Sequence, residues 1–478
     1  MTLPEARADL AQPDVDMDIN KLYDIFTSCG GKVTTDSRKI NGGELFFALK
    51  GENFDGNEYA LKALESGAAY AVVDESSPVA AAAADESRII PVPDTLRALW
   101  ALARHHRDKF SIPVLGLTGT NGKTTTKELV NAVLSAKFRI HATSGNLNNN
   151  IGVPLTVLGI SSDTEIAVIE MGASHPGDIK ELVDIAAPDF GLITNVGKGH
   201  LLGFGSFEGV KATKGEMYDF IVGNDGGAGT VFVNQDNPLL VEMAASRGFV
   251  TAPGDYAFDR EVFLGRDRRK RASEKLLAVP YGLRFSGARV LESDSTHPYL
   301  RLLLADGRQV DTHLVGSYNA DNVLAALCIG HFFGVPEADA IAAVASYVPS
   351  NNRSQMQRTG RNILIIDAYN ANPSSMKAAL DNFVGFDAAK KIVLLGDMLE
   401  LGDESVAEHA KVLRAVADYG LESYFVGEEF RKAGAEHCFG TSGELAAYIA
   451  SHEPEFSSAA ILIKGSRGTR MEKVIPAL

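Results

Sequence analysis

Only three cysteines and one tryptophan occur in 478 residues. Cys29, Cys328 and Cys438 stand far apart, with no CxxC pair and no zinc spacing. That excludes a disulfide scaffold and a zinc module, and leaves incidental or buried thiols in a reducing compartment as the expectation. No window approaches the roughly 18 apolar residues of a membrane span. The opening MTLPEARADLAQPDVDMD is acidic and lacks an apolar core, so no secretory signal is expected. Positive charge is also short: 46 Lys and Arg against 61 Asp and Glu give a formal net charge of -15. Such a balance argues against a nucleic-acid coat or an anionic membrane as partner, although it does not describe any single pocket. A soluble cytoplasmic protein without nucleic-acid partners or membrane insertion is the expectation.

What is present is ordinary globular material, 45% hydrophobic and 22% charged. At about 150 residues per domain the length suggests roughly three domains. The first 17 or so residues read as a tail. Helical periodicity then covers Ile19 to Ser28, and GELFFALK, NEYALKALESGA and AYAVVDE alternate strand and helix. The short Ala80–Ala84 run fits a helix, another helix spans Thr95 to Asp108, and Ser111-Ile112-Pro113 breaks it. Strands IPVLGLTG, EIAVIEM, FGLITNV and TVFVN then alternate with helices, as in a mostly parallel sheet. Asp255 to Asp311 reads as an antiparallel extension, closed by helices at Asn319–Phe333 and Glu337–Tyr347. A third α/β run has strands NILIIDAYN, KIVLLGDM, ESYFVG and AAILIKGS, with helices from Ser375, Glu404, Gly443 and Arg470. The boundaries fall at 1–110, 111–346 and 347–478. No repeat of fixed period suggests a solenoid, and nothing in the pattern calls for an oligomer, so a monomer is expected.

Gly119-Thr120-Asn121-Gly122-Lys123-Thr124-Thr125 follows a predicted strand and opens a predicted helix. That is the setting of a phosphate-binding loop. Glycines let backbone N–H groups turn toward phosphate oxygens, and the helix N-terminus adds positive potential. Lys123 offers a mobile cation to β- and γ-phosphates, and the Thr124 hydroxyl can reach Mg²⁺. Leu117 stands where the usual spacing has glycine, with Gly116 one residue early. A capped glycine turn is the bland reading; the strand–loop–helix context favours nucleotide. Such a loop specifies ATP or GTP binding but not a reaction.

Three more residues extend the site. Glu170 ends a strand, where a carboxylate suits Mg²⁺; a solvated strand-end Glu is the bland reading. His200 lies in the glycine-rich NVGKGHLLGFGS, and Lys211 and Lys214 follow on a helix. A loop histidine is more often structural, and helix lysines are usually a solvated face. The loop, Glu170, His200 and Lys214 all fall at or just beyond strand C-termini, the edge where open α/β sheets bind ligands.

Together these segments resemble the Mur ligase family over nearly the whole chain. The motifs are TDSR (35–38), FFALKGENFDG (46–56), TGTNGKTTT (118–126), GNLNNNIGVPLT (145–156), EMGAS (170–174), TNVGKGHL (194–201), VKATKGE (210–216), NNRSQ (351–355), DAYNANPSSM (367–376), LGDMLELG (395–402) and KGSRG (464–468). The resemblance implies an α/β protein of three domains: a small N-terminal α/β substrate domain for the UDP end, a central P-loop domain with a mostly parallel sheet, and a C-terminal Rossmann-like domain. It implies an ATP- and Mg²⁺-dependent amide ligase acting through an acyl phosphate. DAYNANP, NNRSQ and LGDMLELG point to the member that takes UDP-N-acetylmuramoyl-tripeptide and D-alanyl-D-alanine.

The resemblance also assigns residues. Lys123, Lys214, His200 and Arg353 would be catalytic, with Lys214 carbamylated into an oxygen ligand. Thr124, Glu170, His200 and Lys214 would hold metal. Gly119 to Thr125, with Asn319 near adenine, Arg353 at the γ-phosphate, and Asp367 and Asn370 near ribose and base, would hold ATP. Ser37, Arg38, Asn148 and Asn149 would contact the UDP-sugar. Two departures are Tyr318, where histidine often precedes the asparagine, and Asn57, where histidine is common.

Further expectations come from the chemistry. Two anions must meet, so Lys123, Arg353 and Mg²⁺ would offset their repulsion. Acyl phosphates hydrolyse, so closure about a hinge at Tyr347 to Asn351 is expected to exclude water. Ser466 and Arg467 are the candidates for the dipeptide carboxylate. Asp397 and Glu400 either orient other groups or stabilise a strand-end turn. The basic run 266–271 (RDRRKR) reads as an exposed loop, because aromatic interleaving is absent. The alternatives are a sister ligase or folate polyglutamylating enzyme, a P-loop switch or transport ATPase, and an inactive binding module.

Overall fold

A computed structural model describes residues 18–478 apart from 52, 83–85, 225–228, 255, 266–274, 293–296 and 351. The N-terminal tail, part of the alanine run, the basic run 266–271 and Asn351 of the expected hinge lie outside the described residues.

Apolar residues at helical spacing produce the first unit. Helix Ile19–Ser28 buries Leu22 and Phe26, and the Asp18 carboxylate caps it by accepting from Asn20 and Lys21 N–H. Helix Thr95–Arg107 buries Ala98, Leu99, Leu102 and Ala103, and Asp94 accepts from Arg97 N–H as its cap. Both pack on a four-stranded parallel sheet ordered Val33–Thr34, Leu45–Phe47, Tyr70–Asp74, Ile89–Val92. Arg107 is fully buried at the join to the next unit, where it pairs with Asp189 at 2.9 Å and donates to Ala186 and Ala187 carbonyls. Asn57 is a buried structural amide. It donates to Asp55 and Asp74 carboxylates and accepts from Asp74 N–H.

The central sheet has seven strands, ordered Val250–Thr251, Leu277–Tyr281, Thr230–Asn234, Phe190–Ile193, Val114–Thr118, Ile166–Glu170, Ile140–Ala142, all parallel. This corrects the expectation that everything from 255 to 311 is antiparallel. Leu277–Tyr281 joins the main sheet as a parallel strand. Its Pro280 is tolerated because the short outer strand pairs only with Leu277 and Ala278. The antiparallel pattern is confined to Arg289–Leu291, Arg301–Leu303 and Gln309–Asp311. Helices Lys123–Ser135, Ala320–Phe332 and Glu337–Ser346 share one apolar core beside this sheet, and Asp178–Ala186 and Phe207–Asn224 contribute to another.

The third sheet runs Gln355–Arg358, Ile363–Asp367, Ala460–Lys464, Lys391–Gly396, Glu422–Val426, Cys438–Phe439. Only its first pair is antiparallel. The expected helix from Arg470 is a 3-10 run, Met471–Ala477, with Pro476 inside it. Proline removes a donor and clashes with the preceding turn, which disfavours an α-helix there. All three cysteines are free, and burial raises each thiol pKa, that of Cys328 to about 12. Among the described residues no helix is long and apolar enough to cross a membrane.

Candidate active site

A cleft of about 760 Å³ lies where the C-terminal edges of the central and third sheets face each other. Lys123, Glu170 and His200 line it from the central unit, and Arg353, Asp367 and Asn370 from the third.

The phosphate loop leaves strand Val114–Thr118 at Gly119 and enters helix Lys123–Ser135. Gly119 has φ +148° and Gly122 φ +78°; a Cβ would stand 2.0 Å from Thr194 Oγ1 at the first and 2.7 Å from Asn322 Oδ1 at the second. Only glycine fits either place. Leu117 is a fully buried strand residue, so the turn begins two residues after the usual glycine slot. The loop is braced from a neighbouring strand end: Thr120 N–H donates to Asn195 O at 2.9 Å and Asn121 N–H to Asn195 Oδ1 at 2.9 Å. Lys123 Nζ donates back to Gly119 O (2.7 Å) and Thr120 O (3.1 Å). Burial lowers its pKa to about 8; Glu170 opposes this shift and Arg353 adds to it.

Glu170 is fully buried, which removes the solvated reading. Its Oε1 accepts from Thr124 Oγ1 (3.1 Å) and Asn148 Nδ2 (2.7 Å), while Oε2 is buried without a protein partner. A buried carboxylate oxygen left unpaired beside a hydroxyl fits a hard divalent cation. Among the described residues no group of three His, Cys, Asp or Glu side chains could hold a metal by itself. The donor set therefore suits Mg²⁺ that also takes phosphate oxygens and water.

Lys214 is 2% exposed, so it is not on a solvated face. Its Nζ lies 5.6 Å from the Phe204 ring centroid. Burial, then the Lys123 charge, pushes its pKa well down. Lys211 instead pairs with Glu242 at 3.2 Å on the surface. His200 Nδ1 is 2.5 Å from Glu400 Oε2 of the third unit, and the Glu400 carboxyl is held below its ordinary pKa chiefly by that hydrogen bond.

On the opposite wall, the Arg353 guanidinium stacks on Tyr369, 3.5 Å from the ring centroid. Arg467 Nη1 donates to the Tyr369 hydroxyl at 3.4 Å. Asp367 pairs with buried Lys464 at 2.5 Å, and Lys464 also donates to Asn370 O. Asn319 lines the cleft, but its amide is engaged: Nδ2 donates to Val315 O and Ser354 Oγ, and Oδ1 accepts from Asn322. Tyr318 OH lies 3.3 Å from Ser354 Oγ, and burial raises the phenol pKa.

Other expected residues divide. Asn148 and Asn149 line this cleft, whereas Ser37 and Arg38 sit at the far 3-10 turn Ser37–Lys39, with Arg38 paired to Asp36 at 2.8 Å. Ser466 is a buried fastener that accepts from Leu399 N–H and donates to Ala371 O, so it does not share the exposed position of Arg467. Asp397 takes the strand-end role: it accepts from Glu429 and Phe430 N–H at 2.9 Å each. Tyr369, Asn372 and Lys464 were passed over as individual site residues, although each falls inside a motif already singled out. Asn322, three residues after Asn319, had only helical spacing to mark it.

Comparison with known proteins agrees along most of the chain. The family described as Mur ligase family, catalytic domain, matches residues 32–107; Mur ligase middle domain matches 117–330; Mur ligase, glutamate ligase domain, matches 352–467. A Bacillus subtilis protein named UDP-N-acetylmuramoyl-tripeptide–D-alanyl-D-alanine ligase is 33% identical, covering 93% of this chain and 92% of its own. An Escherichia coli protein of the same name is 32% identical, with 93% of each chain covered. A crystal structure of MurF from Acinetobacter baumannii matches with TM-score 0.76 and 26% identity over 95% of this chain and 97% of that one. MurF ligase from Thermotoga maritima in complex with ADP gives TM-score 0.75 and 25% identity over 95% and 97%. With these family models matching most of its length and relatives above 30% identity over 93% of it, and with its phosphate loop, buried Glu170 and facing Arg353, the chain belongs to the Mur ligase family.

Proposed function

We propose that this protein is an ATP-dependent ligase that joins D-alanyl-D-alanine to UDP-N-acetylmuramoyl-tripeptide through an acyl phosphate, in peptidoglycan precursor synthesis. The observation that carries the reading is the convergence of Lys123, from the central unit, and Arg353, from the third, on one cleft. Relatives at about a third identity over nearly the whole chain bear that name and support the substrate pair.

The residues divide the work. Lys123 and the amides of Gly119 to Thr125 hold the ATP phosphates. Thr124, Glu170 and His200 would hold Mg²⁺, which when bound would supply positive charge to offset the repulsion of two approaching anions. Lys214, whose charged form burial disfavours, would take up carbon dioxide as a carbamate with release of a proton, and join them. Arg353 draws out charge developing on the γ-phosphoryl group as the substrate carboxylate oxygen attacks phosphorus and ADP leaves. The deprotonated dipeptide amine then attacks the acyl carbon, the C–O bond breaks and phosphate departs. Asp367 and Asn370 meet the ribose and base, with Asn319 bracing the adenine side. Ser37 and Arg38 meet the UDP end, while Asn148 and Asn149 serve the reacting end of the peptide. Arg467 receives the dipeptide carboxylate. Segments 1–110, 111–346 and 347–478 act as the UDP, ATP and amine domains of a cytoplasmic monomer that serves cell-wall growth, cell shape and division.

A coupled phosphate-release assay with the UDP-tripeptide tests this. Release is expected with D-alanyl-D-alanine, and not with D-glutamate, diaminopimelate or glutamate. Equal release with any of those amines would favour a sister ligase, and release without an amine would favour a simple ATPase.

A further inference from the structure

His200 is reached from the third unit through more than one contact. Lys198 Nζ, two residues before it, donates to Glu404 Oε2 at 2.9 Å and Glu408 Oε1 at 3.0 Å. Leu202 N–H, two residues after it, donates to Glu400 O at 3.1 Å. A Cβ on Gly402 would meet Leu202 Cδ1 at 3.2 Å, so the two loops touch. Between these anchors His200 Nδ1 stands 2.5 Å from Glu400 Oε2. His200 has φ +52° and Glu400 φ +69°. Residues with side chains keep that region only where surroundings compel it.

An ionised carboxylate only accepts hydrogen bonds, so the proton in this pair sits on Nδ1. In the neutral ring Nε2 then carries the lone pair and can act as a ligand. A histidine that binds metal depends on such an outer partner to fix ring and tautomer. Here the partner does not come from the sheet that carries the histidine. We propose that Glu400 is a positioning residue for His200, contributed by the third unit, so that His200 is set as a ligand for a divalent cation only while that unit is docked on the central one. The inference rests on the reading that His200 holds the cation.

The test uses the full chain, labelled with ¹⁵N-histidine and free of metal, with the His200 signal identified by its loss in His200→Gln. Wild type is expected to show the Nδ1–H tautomer. Glu400→Ala is expected to move His200 toward Nε2–H and, with ADP present, to weaken Mn²⁺ binding about tenfold or more. Glu400→Gln, which keeps an acceptor of the same length, is expected to fall between. An Nε2–H tautomer in wild type would overturn the proposal, as would equal Mn²⁺ affinity in folded Glu400→Ala. The wild-type tautomer needs no turnover and no change at Glu400. Product formation by wild type, measured alongside, tells failure of this proposal apart from failure of the ligase reading.

Discussion

Asn372 Nδ2 donates to Asn121 Oδ1 at 2.7 Å, tying the phosphate loop to the N-terminus of helix Pro373–Val384 across the cleft. Asn372 also caps that helix, accepting from Ser375 N–H in a capping box. Serine caps almost as well as asparagine but does not span to Asn121. Asn372→Ser is therefore expected to keep stability within about 1 kcal/mol while enlarging the radius of gyration in small-angle scattering. An ATP analogue with the UDP-tripeptide should restore compactness. Identical scattering for wild type and variant, with and without ligands, would count against closure about the segment after Tyr347.

The Lys123 ammonium has its pKa lowered by burial to about 8. In the unfolded chain a lysine titrates near 10.4. Between these values the unfolded state binds more protons, so stability rises with pH; below about 8 the buried charge works against the fold. Lys123→Met removes the group. The variant should be more stable than ligand-free wild type near pH 7, and the urea midpoints should converge only as the pH passes about 10.4. Nucleotide affinity of wild type should weaken above about pH 8 as the proton is lost. A midpoint difference that stays constant with pH would refute the assignment.

The Arg353 guanidinium carbon lies over the Tyr369 ring. Lysine keeps the charge but neither stacks nor offers a planar fork. Arg353→Lys is expected to cut turnover at least about tenfold while changing stability by no more than about 0.5 kcal/mol. Wild-type turnover in the lysine variant would show that point charge alone suffices.

The buried Arg107–Asp189 pair joins the first unit to the central sheet. Removing one partner strands the other charge, so Arg107→Met should cost about 3–5 kcal/mol in urea unfolding, and Arg107→Met with Asp189→Leu should recover much of it. A single variant within about 0.5 kcal/mol of wild type would argue against that role.

Much of this was readable along the chain. The phosphate loop, Glu170 at a strand end and the alternation of strands and helices all rest on local periodicity and glycine placement. Leu277–Tyr281 departs from the expected antiparallel extension because it only adjoins true antiparallel strands, and its parallel partners, 27 and 47 residues away in register, leave no local mark. Asp397 and Ser466 carried motif signals that structural roles account for: one caps a helix, the other joins two loops.

The residues by themselves determined which groups can bind phosphate and a hard cation, because that depends on short-range chemistry: glycines, a lysine and a hydroxyl within one turn. Tertiary structure decided what those groups face. Burial, which no local pattern reveals, lowers the Lys214 pKa. Packing of the third sheet against the central one brings Glu400 to His200 and Asn372 to Asn121, residues separated by 200 and 251 positions, and a contact at that distance in sequence exists only once both sheets have formed and met.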